Sequence, residues 1–133
     1  MSIKPMSLKD RRKSCLYQAE RWLKLLRPGI PNYETVAGYI REEMKEGGFT
    51  LCDLGITEEE FKAMCLKGRE AKARQLLHYL RRSTERSSLH SIITIVDGIH
   101  EEVRLGKFNL ADIGTSLDEL MSFINKKKEE APA

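Results

Sequence analysis

Apolar residues recur at three- and four-residue intervals along most of this chain, with polar residues between them. Leu16, Ala19, Leu23 and Leu26 form one stripe, with Tyr17 and Trp22 beside it. This spacing predicts a helix over 8–27. The run RPGIPN that follows, with two prolines and a glycine, ends it. Val36, Ile40 and Met44 predict a second helix from Tyr33 to Glu46. Phe61, Met64 and Cys65 start a stripe that Ala71, Leu76, Leu77 and Leu80 continue. One helix over 58–83 is expected, because a single interior glycine, Gly68, costs only about 1 kcal/mol. Ile95, Ile99 and Val103 predict a helix over 89–105 with Ser88 as its cap, and a last helix covers 117–128. Residues 1–7 and 129–133 are expected as loose termini.

Part of this pattern occurs twice. Residues 35–67 align with residues 94–126 without a gap, at an offset of 59. Thr35, Ile40, Glu42, Glu43, Gly47 and Phe49 recur as Thr94, Ile99, Glu101, Glu102, Gly106 and Phe108. Leu51, Asp53, Gly55, Glu60 and Lys67 recur as Leu110, Asp112, Gly114, Glu119 and Lys126. We read this as a tandem duplication, with units of about 8–67 and 68–128 inside a single domain of 1–133. Each copy is an amphipathic helix, a glycine-aromatic turn and a capped helix. Gly47 and Gly106 are expected to end their helices in a left-handed conformation. Phe49-Thr50-Leu51 and Phe108-Asn109-Leu110 alternate like short extended pieces whose apolar side chains enter the core. Asp53 and Asp112 are expected as turn-makers that accept backbone N–H bonds. Thr57 with Glu60, and Ser116 with Glu119, have capping-box spacing. The glutamates 42, 43, 101 and 102 are placed mostly on the wet side. The fold expected is an all-α bundle of five or six helices.

Charge adds a second periodicity. Residues 1–30 carry +6, residues 31–66 carry −5, residues 67–86 carry +5 and residues 87–133 carry −3. Basic and acidic segments thus alternate with the same period as the repeat. The net charge of +3 over 133 residues is small. The three cysteines, Cys15, Cys52 and Cys65, are widely spaced and form no CxxC pair. Cys52 and Cys65 align with Ala111 and Ile124, as small buried apolar residues would. Together these features predict a reducing, cytoplasmic setting. No segment reads as a signal peptide or a membrane span, so no membrane association is expected.

Candidate chemistry is sparse. The chain has no phosphate-binding glycine loop and no nucleophile elbow. His100-Glu101-Glu102-Val103-Arg104 begins like a helical zinc motif, but Arg104 stands where the second ligand belongs. Cys15 has Arg12 and Lys13 nearby, which would favour a thiolate if it were exposed; a half-buried, inert cysteine is the plainer reading. No catalytic set, cofactor or metal is expected. The remaining feature is the basic stretch 67–86. Lys67, Arg74 and Arg81 lie seven apart along one line, and Lys72, Arg82 and Arg86 form a second line with Tyr79 between. These residues would make a surface for a partner or for nucleic acid. The alternation of charge also allows basic helices simply to pack beside acidic ones. Trp22 has two readings, core residue or partner hot spot. The function expected is a small non-catalytic protein-interaction or regulatory module. Its partner is another protein or a second copy. A nucleic-acid binder acting through 67–86 is the alternative, followed by an enzyme or metal protein whose site is not evident.

Overall fold

The computed structural model describes residues 7–130, and there the protein is all-α. Five α-helices follow one another: α1 (Leu8–Leu26), α2 (Tyr33–Gly47), α3 (Glu58–Ser83), α4 (Leu89–Gly106) and α5 (Leu117–Glu130). Short 3-10 turns at Leu51–Leu54, Thr84–Arg86 and Leu110–Ile113 connect them. The chain divides into two compact units, residues 1–68 and 69–133. α3 runs without a break through Gly68, so its first part belongs to the first unit and its second part to the second. Helix ends lie within about two residues of the positions that periodicity predicts. Glu129 and Glu130 extend α5 beyond its expected end, and Ser7 caps α1 by accepting the Asp10 N–H at 3.1 Å. The rest of the expected loose termini, 1–6 and 131–133, lies outside the described residues.

The core of the first unit is formed by Ala19, Leu23 and Leu26 of α1, Val36, Ala37 and Ile40 of α2, and Phe61 and Met64 of α3. Phe49, Leu51, Leu54 and Ile56 close it from the turn. In the second unit, Ala73, Leu77 and Leu80 of α3 meet Ile92, Val96 and Ile99 of α4 and Leu120 and Ile124 of α5. Phe108 and Leu110, expected in this core, are only half-buried at its edge. The buried face of α4 is also rotated from the predicted one: Ile92 and Val96 are inside, and Ile95 is half-buried. The first and third helical segments correspond through their buried residues, Ala19, Leu23 and Leu26 against Ala73, Leu77 and Leu80. That offset is 54, not the 59 of the turns, because α3 runs three residues past Leu80 whereas α1 ends at Leu26, and α4 starts three residues before the position that aligns with Tyr33, which outweighs a connector one residue shorter.

The two glycine-aromatic turns depart from expectation in an informative way. Gly47 and Gly106 are the last helical residues, and the left-handed position is one later, at Gly48 (φ 66°) and Lys107 (φ 55°). What excludes a side chain at Gly47 is contact. A β-carbon there would stand 2.7 Å from the Phe49 ring and 2.8 Å from the Cys15 Cβ. At Gly106 the Phe108 ring takes the same place, 2.5 Å from where a β-carbon would be. After the aromatic residue the backbone is extended only at Thr50 and Asn109, and then winds into a 3-10 turn. Asp53 and Asp112 are the predicted turn-makers. Their Oδ2 atoms accept from Thr50 N at 2.9 Å and Asn109 N at 2.8 Å. Thr57 and Glu60 form the full reciprocal capping box, at 3.0 and 3.2 Å. Ser116 accepts from Glu119 N at 3.2 Å, whereas the Glu119 carboxylate is taken by Arg81 and Thr115 instead.

Gly68 is held by a neighbour rather than by conformation. A β-carbon at this point of α3 would collide with Cβ and the ring of Tyr33, the buried first residue of α2. Alanine normally exceeds glycine by about 1 kcal/mol inside a helix, but here overpacking opposes that gain and costs roughly 1–3 kcal/mol. Gly68→Ala should therefore lower the melting temperature. Gly38→Ala, where nothing lies within 4 Å, should raise it. Thermal melts of the two variants check the pair, and equal shifts of the same sign would contradict it.

Candidate functional site

The basic side chains predicted as a surface on α3 have varied surroundings. Lys67 is exposed in the first unit. Lys72 turns inward, its Nζ 3.3 Å from Glu102 Oε1, while Arg69 Nη1 lies 3.2 Å from Oε2 of the same carboxylate. Glu102 is 4 % exposed, which corrects its expected wet position. Arg74 pairs with Glu70 at 2.7 Å and donates to the Asp112 carbonyl at 2.8 Å. Arg81 donates to the Gly114 carbonyl at 2.7 Å and to Glu119 Oε1 at 2.8 Å. Arg82 Nη1 is 3.3 Å from His78 Nε2. Arg86 is exposed and has no ion-pair partner among the described residues. Tyr79 is half in water beside a shallow groove that also touches Leu76, His90 and Thr94. Of the seven predicted residues, Lys72, Arg74 and Arg81 thus serve the second unit internally. The backbone carbonyls of the second turn lack helical partners, and the planar guanidinium fork satisfies them. In the first unit Arg12 does similar work from α1, donating to the Gly48 carbonyl at 3.4 Å and lying 3.5 Å from Asp53.

These contacts set the titration of two carboxyls. The Thr50 backbone N–H and then the Arg12 charge hold Asp53 below its usual range. Hydrogen bonds from Arg81 and then Thr115 lower Glu119. Cys15 moves the other way. Burial, then a hydrogen bond with Glu43 and the charges of Glu43 and Glu46, push its thiol up. The neighbours Arg12 and Lys13 therefore do not make it a thiolate. Cys52, expected to be buried, is exposed on the first turn, and Cys65 is half-buried against the core. Among the described residues, no three His, Cys, Asp or Glu side chains gather as metal ligands. Nor is any helix there long and apolar enough to cross a membrane.

A different face is better formed as a surface. On the outer side of α1, Tyr17, Gln18, Arg21, Trp22, Lys24 and Leu25 line a groove of about 450 Å³. Tyr17 is 60 % exposed and Leu25 51 %. Trp22 is half-buried, and its ring centroid lies 4.9 Å from that of Tyr39 on α2, with the planes at 44°. Tyr39 is itself 44 % exposed. The Arg21 guanidinium stands 5.9 Å from the Tyr17 ring centre, a cation–π distance. Tyr17 and Trp22 stand out in the sequence beside the α1 stripe. Tyr39 does not, because it lies off the stripe of α2 and gains its role only across helices. Compared with known protein families, curated proteins and solved structures, the chain has no significant match.

Two expectations follow from the charges. Removing Arg69 leaves the buried Glu102 with one cation, so Arg69→Ala should cost about 2–4 kcal/mol, less than a fully buried pair because Arg69 and Lys72 keep contact with water. Adding Glu102→Met should recover most of it, and denaturant melts of the four proteins measure the coupling. Glu119 gives a pH signature. Its folded carboxyl titrates below the ordinary 4.5, so its contribution is complete above that value and is lost as pH falls through the lower folded one. The stability gap between the parent and Arg81→Gln should therefore shrink on acidification below pH 4.5, as read by melts across pH.

Proposed function

We propose that this chain is a small non-catalytic helical module for protein interaction or regulation. Its contact surface is the outer face of α1 with Tyr39 of α2. The observation that carries this reading is the groove around Trp22. Ala19, Leu23 and Leu26 fill the core with Trp22 half-buried against them, yet Tyr17 and Leu25 on the outer side of α1 keep large apolar area at the surface beside it. Tryptophan, tyrosine and arginine are the residues that dominate binding energy at interfaces, and all three meet here. Three thiols that are not paired with one another fit the cytoplasmic setting proposed with it.

A nucleic-acid role for stretch 67–86 has less support, since Lys72, Arg74 and Arg81 are engaged within the second unit. Two measurements test the choice. A photo-crosslinking residue at position 25 should trap a protein in cells of the source organism, and one at the exposed position 59 should not. Gel shifts with duplex DNA and with RNA at two salt concentrations should show no tight, steeply salt-dependent binding. Such binding, abolished by Arg82→Ala with Arg86→Ala, would replace the interaction reading.

A further inference from the structure

The charges around the Trp22–Tyr39 seam are arranged with two signs. On α1, Arg21 and Lys24 follow Tyr17 by four and seven residues, so they share its side of the helix. On α2, Glu42 and Glu46 follow Tyr39 by three and seven residues and share its side. All four are exposed, and none has an ion-pair partner among the described residues. α1 and α2 run antiparallel as a hairpin, with Arg12 near the start of α1 reaching the Gly48 carbonyl at the end of α2. The face thus has a basic margin on α1, an aromatic middle and an acidic margin on α2.

Building on the interaction reading, we propose that the α1–α2 face binds the same face of a second copy of this chain. A two-fold axis through the aromatic middle exchanges the margins. Arg21 and Lys24 of one copy then meet Glu42 and Glu46 of the other, twice, while Tyr17, Trp22, Leu25 and Tyr39 close the centre. This is the self-complementarity that an isologous dimer requires, with an apolar centre and a charged rim. The rim fixes orientation and speeds encounter more than it adds affinity. A polyanion or a uniformly acidic segment fits less well, because Glu42 and Glu46 would repel it along one whole margin. A uniformly basic segment meets the same obstacle at Arg21 and Lys24.

Sedimentation equilibrium of the full chain tests the proposal. Wild type should pass from monomer to dimer with rising concentration. Leu25→Asp changes an exposed position and should leave the helical circular dichroism intact, yet shift the protein to monomer. The charge reversals R21E/K24E and E42K/E46K should each weaken self-association by about tenfold or more. Mixed one to one, with one of them mass-tagged, they should form heterodimers preferentially, because the margins are complementary again. A wild type that stays monomeric, a dimer that Leu25→Asp leaves unchanged, or reversed variants that fail to pair when mixed would each overturn the second-copy assignment. So would RNA binding that depends on Arg21 and Lys24. The broader interaction reading falls only if crosslinks from position 25 also trap no protein, so the two failures are distinguishable.

Discussion

Two phenyl rings folded back onto glycine decide how this chain changes direction. Phe49 and Phe108 occupy the space where Gly47 and Gly106 would carry a β-carbon. The ring can reach that place only if the helix ends at once, and it does. Gly48 N and Phe49 N both donate to the Met44 carbonyl, at 2.9 and 3.2 Å, and Phe108 N donates to Val103 at 3.3 Å. One extended residue and a 3-10 turn then bring the chain round to the next capped helix, with Asp53 or Asp112 holding the corner. The glycine is required by shape at one residue and the left-handed backbone is taken at the next. After Gly106 that next residue is Lys107, which accepts a conformation costing a side-chain-bearing residue roughly 1–2 kcal/mol.

The alternation of charge has a physical use. Arg12, Arg74 and Arg81 leave basic helical segments and end on turn carbonyls or their flanking carboxylates. Arg69 and Lys72 converge on Glu102, and two cations around one buried carboxylate tolerate little displacement. The basic character of α3 is therefore in part internal in purpose. That of α1 is turned outward at Arg21 and Lys24, beside exposed aromatic side chains. Two segments of similar composition thus stand in different relations to solvent.

Local rules carried far in the sequence. Helix positions, the continuity of α3 through Gly68, the Thr57 cap and the two aspartate corners all follow from spacing over a few residues. The misreadings have distinct causes. α4 carries Ile92, Ile93, Ile95, Val96 and Ile99, enough apolar residues to draw two different stripes, and only packing selects between them. Glu102 reads as a wet-side residue because its cations, Arg69 and Lys72, are about thirty residues earlier. The turn carbonyls that Arg74 and Arg81 reach are as remote, so spacing along α3 shows the row of cations but not what some of them touch. Gly47 was given the conformation that belongs to Gly48, since two adjacent glycines look equivalent until a ring is placed against one. The α1 groove was half visible, in Tyr17 and Trp22, and lacked Tyr39 because that contact joins two helices.

α3 supplies apolar residues to two cores, Phe61 and Met64 to one and Ala73, Leu77 and Leu80 to the other. Its parts, 58–68 and 69–83, are each near or below the length at which an isolated helix holds together in water, about 12–15 residues. Melting of either unit strips one part of α3 of its packing and leaves the adjoining turns of helix to fray. Each part of α3 therefore owes its winding to the core it packs into, Phe61 and Met64 anchoring one and Leu77 and Leu80 the other.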